Sequence, residues 1–296
     1  MKVRPTCAAC ILLSRSRELE RLGDLNLEDA LAGFRMIAEV TGAYIGPDIE
    51  LSLLSTISFR KLKTILGEKD PYRGLKEEGM KKAKRFVDEI RSFVKRLEGR
   101  EKFHFALKTA AAGNAADYAK PYLDTYIHTL DSIRKIELRI NEVEPLYDKL
   151  EDGEIRNVVY VLDGAVEALY DSIFIEVLNE LGASITLIVK SDAFEDDATI
   201  SDISKTNLAS LVDEVLETGS DAGSLIPDEV TSEVLAALKE ADIVIAKGSL
   251  NYLHFANNTD LAKNVYSIMR VPCKFLSRLL NTPLGSYVAV RVRPLQ

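Results

Sequence analysis

Three strands in the second half of the chain constrain the fold most, because they are almost wholly apolar. Val158-Val159-Tyr160-Val161-Leu162, Ser184-Ile185-Thr186-Leu187-Ile188-Val189 and Ile243-Val244-Ile245-Ala246 lack the polar alternation of a strand with one wet face. Helical patterning separates them. A stretch from about 165 to 181 is closed by Gly182, residues 205–217 carry Leu208, Leu211, Val212, Val215 and Leu216 on one helical face, and another helix runs roughly over 228–240. Doubly buried strands alternating with helices predict an α/β fold with a mostly parallel sheet covered on both faces. Residues 284–292 end the chain with Tyr287-Val288-Ala289-Val290 as a last strand.

The first half has helical period throughout. In 80–98, Ala83, Phe86, Val87, Ile90, Phe93, Val94 and Leu97 form one apolar stripe, while Lys81, Lys84, Arg85, Asp88, Arg91 and Lys95 take the other face. Weaker patterns cover 16–23, 27–42 and 49–66, and two more helices are expected over 103–118 and 121–139, with Pro121 in a first turn. The period changes at the charged stretch Lys149–Glu154, which divides a helical part, 1–152, from an α/β part, 153–296.

With 296 residues, 47% of them hydrophobic, the chain has material for a full core. Its net charge is 38 − 46 = −8, which disfavours a nucleic-acid face or a membrane-surface role. No apolar run approaches the roughly 18–20 residues of a membrane span. The apolar stretch Ala8–Leu13 is soon interrupted by Arg15 and lacks a cleavage pattern, so a cytoplasmic protein is expected. Gln296 is the single glutamine, a composition resembling that of hyperthermophiles. Cys7-x-x-Cys10 has metal-ligand spacing. Only Cys273, His104, His128 and His254 remain to complete a zinc site, and they are scattered, so a packed or disulfide-linked pair is favoured.

Ligands of open α/β sheets bind beyond the C-terminal ends of the strands. There the sequence places Asp163-Gly164-Ala165-Val166-Glu167 with Asp171, then Lys190 followed by Asp192, Glu195, Asp196, Asp197 and Thr199, then Lys247-Gly248-Ser249-Leu250-Asn251-Tyr252. Carboxylates from two adjacent strand tips suit a hard divalent cation, and a lysine at a third suits a phosphate oxygen. Taken singly, Asp163 also reads as a helix N-cap and Asp196-Asp197 as a solvated turn. The phosphate-loop, dinucleotide and zincin motifs are missing, as is the glycine-rich run of a nucleotide-cofactor turn.

At these clusters the sequence resembles the damage-control metal-dependent phosphatases, once catalogued as domain-of-unknown-function family 89. The resemblance rests on Cys7-Ala8-Ala9-Cys10, Asp70-Pro71-Tyr72 with Lys76, Gly113-Asn114 with Asp117, Asp163–Glu167, Asp196-Asp197-Ala198-Thr199 and Lys247–Tyr252, six motifs in order. It implies a helical N-terminal part packed on a three-layer α/β/α sandwich. The implied activity is hydrolysis of sugar phosphates or damaged-metabolite phosphates, with Mg, Mn, Co or Ni as the divalent metal. By this resemblance Asp163 and Asp197 would hold the metal, and Asp196, a carboxylate where the family has an amide, is a further candidate to fill the place left by Gly164. Asp163, Glu167 and Lys247 would be catalytic, and Asn114, Asp117, Lys247, Gly248 and Asn251 would line the substrate pocket. A small-molecule phosphate would be the partner.

The pattern is broken in three places. Gly164 stands where the family has a metal-binding Asn, Val166 where it has Gly, and Leu253 where it has an acidic residue. These departures carry the alternative reading, a weak or inactive member acting as a metabolite-binding or regulatory protein.

Overall fold

The computed structural model describes residues 2–120 and 123–295. The helical half opens with α1 (Pro5–Leu22), α2 (Leu27–Tyr44) and α3 (Leu51–Leu66). Pro5 sits where its missing N–H is an orphan in any case. Asn26 caps α2 by accepting from the Asp29 N–H at 2.9 Å. The apolar stripe of 80–98 becomes the inner face of α4 (Arg73–Val94), with Ala83, Val87, Ile90 and Val94 buried. The helix α5 (Gly99–Gly113) is buried along its whole second half and runs through the middle of the molecule.

Seven strands form one sheet: β1 (Leu138–Asn141), β2 (Asn157–Val161), β3 (Ser184–Val189), β4 (Glu214–Glu217), β5 (Ile243–Lys247), β6 (Val265–Arg270) and β7 (Tyr287–Arg291). Their order is β1-β7-β6-β5-β2-β3-β4, and only β6 and β7 pair antiparallel. The sheet is therefore mostly parallel, as its apolar strands require. Successive residues feed opposite faces. Val158 and Tyr160 pack with α4, α5 and α8 (Glu167–Glu180), whereas Val159 and Val161 pack with Val234 and Leu238 of α10 (Ser232–Glu240) and with Phe255 of α11 (Ser249–Asn257). The core on the first face runs unbroken from Phe103 and Ala110 of α5 to Tyr170 and Phe174 of α8. Gly113 allows the close approach of α5 to α8, since a Cβ there would stand 2.9 Å from the Tyr170 Cβ.

Two expected helices do not form. Residues 121 and 122, which include Pro121, lie outside the described residues. The rest of 121–139 holds only α6 (Leu130–Arg134) and then β1, which joins the sheet beside β7. Residues 205–217 give a 3₁₀ turn, Leu208–Leu211, followed by β4. The spacing of Val212, Val215 and Leu216 suits either period. Pairing of Glu214–Glu217 with Thr186–Val189 of β3 decides it, because an open sheet edge is available there. The strand β6 is a further addition to those the sequence pattern predicts. Among the described residues no helix is long and apolar enough to cross a membrane.

Candidate active site at the strand ends

Strand order reverses between β2 and β5, the switch point at which an open sheet leaves a crevice. The chain leaving β2 and the chain leaving β3 are fastened together above it. The Asp163 backbone carbonyl accepts from the Ala198 N–H at 2.7 Å, and Ala165 donates its N–H to the Asp196 carbonyl at 2.9 Å. Gly164 and Asp197 thus form an antiparallel bridge, while Lys190 and Thr199 form a parallel one. This backbone lacing puts the Asp163 and Asp197 side chains on one small cavity, together with Asn114, Asp117, Lys120, Glu167 and Asp196. Asp163 does not cap α8, whose N-cap is Val166, so its carboxylate is left for the cavity.

The third strand tip makes room for it. Gly248 has φ +78°, and a Cβ there would fall 1.8 Å from Asp163 Oδ2, so only glycine fits. From the helical half, Asn114 ends α5 and donates to Asp163 Oδ2 at 3.1 Å and to Glu167 Oε2 at 2.8 Å, while its own oxygen accepts from the Arg270 N–H at 2.8 Å. Glu167 also accepts from the Gly164 N–H at 3.2 Å. Asp117 folds into a tight turn, accepting from the N–H groups of Ala119 and Lys120, and pairs with the Lys120 ammonium at 3.0 Å.

So many carboxyls in one dry place resist ionisation. Burial raises Asp163 to about 6, with Lys120 opposing the shift and Asp117 adding to it. Burial likewise drives Glu167 up against the pull of Lys247, Asp196 up with a push from Asp117, and Asp197 up against Lys190. A divalent cation would relieve this repulsion, and the donors are hard oxygens. Among the described residues no three His, Cys, Asp or Glu side chains are set to hold an ion by themselves. Two carboxylates, with water and phosphate completing the shell, are the usual holding set for a magnesium-like ion. The residues fit such an ion.

The strand-end position of Lys247 predicts a charge facing a phosphate, but its ammonium lies elsewhere. Its ammonium is fully buried, 2.7 Å from Asp171 Oδ1, 2.9 Å from the Ala110 carbonyl and 3.6 Å from Glu167 Oε2. Burial works against its charge, yet Asp171 and Glu167 outweigh it and raise its pKa. Asn251 is also buried and ties strand ends together, donating to the Lys247 carbonyl at 2.9 Å and accepting from Ser224 at 2.8 Å. Neither side chain lines the cavity. Two other lysines, which the motifs did not single out, stand at the same carboxylates. Lys120 lines this cavity and an adjoining one, and its charge is reinforced, against burial, by Asp117, Glu195, Asp163 and Asp196. Lys190 lies 3.7 Å from Asp197 Oδ2, with its pKa lowered by burial. The adjoining cavity adds Asp124, Ser249 and Arg270.

The remaining motif residues serve structure. Lys76 pairs with Asp70 at 2.8 Å and with Asp202 at 2.7 Å, and Tyr72 donates to Glu18 at 2.6 Å. Val166 points at Gly79 of α4, where a Cβ would lie 2.7 Å from its Cγ2, so it packs into the helical half. His254 faces Glu50 at 3.5 Å. Cys7, Cys10 and Cys273 are free thiols, and burial pushes Cys10 to about 11.

Known proteins resemble the chain over nearly its whole length. The sequence profile described as the damage-control phosphatase ARMT1-like domain matches residues 3–288. A damage-control phosphatase of Archaeoglobus fulgidus is 27% identical over 300 residues, covering 98% of this chain and 99% of the relative. One of Pyrococcus horikoshii is 25% identical over 296 residues, 98% of each chain. An uncharacterized protein of Methanocaldococcus jannaschii is 27% identical over 296 residues, 98% of this chain and 96% of the relative. The crystal structure of a domain-of-unknown-function 89 family protein from Pyrococcus horikoshii superposes with a TM-score of 0.83 at 21% identity, covering 99% of this chain and 100% of that one.

Proposed function

Because the chain belongs to the damage-control phosphatase ARMT1-like family, we propose that it hydrolyses small phosphometabolites, sugar phosphates or damaged-metabolite phosphates, with a divalent metal held by Asp163 and Asp197. The phosphatase names of two relatives support the reaction class. The observation that carries the metal reading is the lacing of Gly164 to Asp197, which turns carboxylates from two strand tips onto one cavity.

Phosphoryl transfer needs positioning and charge neutralisation more than covalent chemistry. When bound, a Mg, Mn, Co or Ni ion supplies Lewis acidity and a water of lowered pKa. Asp163 and Asp197 would grip it. Asp196 is partly committed, because its Oδ2 accepts from the Tyr118 N–H at 2.6 Å and thereby fixes the loop. Glu167, joined to Asp163 through Asn114, would exchange a proton with the attacking water in this reading. Lys120 faces the phosphate in this reading, while Lys247 acts one step back by holding Glu167 and Asp171.

A second reading, a weak or inactive binding protein, is favoured by Gly164, which offers no ligand where the resemblance has Asn. Space for one exists: a Cβ at 164 would have its nearest neighbour at 3.8 Å. The test is phosphate release from sugar phosphates and p-nitrophenyl phosphate by chelator-stripped protein. Turnover that appears with Mn, Co or Ni and vanishes with EDTA supports the hydrolase. Turnover at the same rate without metal overturns the metal-dependent mechanism, and turnover appearing only in Gly164→Asn favours the lapsed enzyme.

A further inference from the structure

We propose that Arg15, on α1 in the helical half, is a positioning residue for the acidic loop after β3. It holds Glu195 in a left-handed backbone conformation and so sets where Asp196 and Asp197 point. The inference rests on the reading of Asp163 and Asp197 as the metal-holding pair.

Three non-glycine residues among those described have positive φ: Asn264, Asn281 and Glu195, the last at +46°. Asparagine enters the left-handed region readily, but glutamate has no local side-chain bond that favours it. Something must hold Glu195 there, and its carboxylate is gripped by the guanidinium of Arg15. Arg15 is fully buried and is itself fixed from several sides. Its Nε donates to Ser58 Oγ at 3.0 Å, it pairs with Glu18, and its guanidinium lies 5.0 Å from the Phe59 ring centroid. Glu18 in turn accepts from Tyr72 at 2.6 Å. These other partners all belong to α1, α3 or the segment entering α4. Glu195 is the partner that lies on the loop.

A buried ion pair is weak evidence of added stability, since apolar residues of similar volume would serve as well. What this pair adds is direction. Glu195 lies inside the turn closed by the Asp197 N–H donating to the Phe194 carbonyl at 3.0 Å. A change of φ at 195 therefore swings both following aspartates, including the one laced to Gly164.

The experiment compares Glu195→Ala, Glu195→Gly and Arg15→Lys in the full chain. Both Glu195 variants lose the carboxylate, but only glycine takes φ +46° without strain. Folding is checked by circular dichroism, Mn binding is measured by calorimetry on metal-free protein, and crystal structures give the Asp163–Asp197 separation. Misplacing a supporting group typically costs about 10–100-fold in metal affinity. The expected result is a loss of that size for Glu195→Ala, a smaller loss for Glu195→Gly, whose backbone accepts the conformation but is no longer held in it, and a partial loss for Arg15→Lys. Should Glu195→Ala not fold, the glycine and Arg15→Lys variants carry the comparison. Equal binding in all three, or equal loss in alanine and glycine, overturns the proposal. If wild-type protein binds no Mn, the metal reading fails instead. The crystallographic separation still decides the inference, and an unmoved loop in Glu195→Ala or, if that variant does not fold, in Arg15→Lys refutes it.

Discussion

Single residues decide the chemistry through what they are bonded to. Asn114 uses one amide to join Asp163, Glu167 and the Arg270 backbone. Asn114→Ala should therefore lower Mn affinity about 10–100-fold and unfold more easily by about 1–3 kcal/mol, the cost of unpaired buried partners. Calorimetry and denaturant melts check the two parts. His128 gives a pH signature. Burial first, then Arg270, lowers its pKa to about 4. The native state thus binds fewer protons than the unfolded chain between about 4 and 6.5, so its contribution is present above pH 6.5 and is lost as pH falls toward 4. The raised carboxyls of the candidate site slope the other way, but they are shared by wild type and variant. Subtracting the urea midpoints of His128→Gln from those of wild type should leave a difference that shrinks with acid, and parallel profiles would refute it. Asp163 and Asp197 were legible because carboxylates at strand tips stand out against apolar strands. Lys120 was not, because it reaches the site from a loop of the helical half, about forty residues upstream of β2 and without a motif. The partners of Lys247 were equally hidden, since a strand-end lysine reads alike whether it meets a ligand or Asp171.

Elements position these residues by their ends. The glycine at the N-terminus of α11 combines φ +78° with a Cβ position inside the Asp163 carboxylate. Gly248→Ala should cost about 1–3 kcal/mol from backbone strain alone, and it must also push Asp163 aside. The expected outcome is a lower melting temperature together with lost Mn binding. A stable variant with intact binding would show that Asp163 is not held against this turn. Element identity was readable where burial left one period, as in the amphipathic α4 or the apolar β2, β3 and β5. It was misread where polar and apolar residues alternate irregularly. Residues 212–217 suit a helix face as well as an edge strand, and only a neighbour supplied by β3 selects the strand. For β1 the neighbour is β7, almost 150 residues away, which no local pattern reveals.

Across the molecule, the helical half works as a clamp on the loops of the sheet. Besides Arg15 on Glu195, Lys76 holds Asp202, Lys63 holds Asp221, and Thr56 accepts from the Gly223 N–H at 2.9 Å. Each contact lands on a segment that follows β3 or β4. These contacts fix long strand-end loops of a mostly parallel sheet, so that the buried carboxylates they carry keep their places. The layer order was legible because doubly apolar strands demand helices on both sides, whereas the clamp was not, since its partners lie more than a hundred residues apart. The most direct measurement is anomalous diffraction from crystals soaked in Mn and inorganic phosphate. The prediction is one strong peak within about 2.0–2.6 Å of oxygens from both Asp163 and Asp197, the range for hard cations, with phosphate density reaching Lys120. An anomalous map with no peak there, or with Mn bound only elsewhere, would contradict the account.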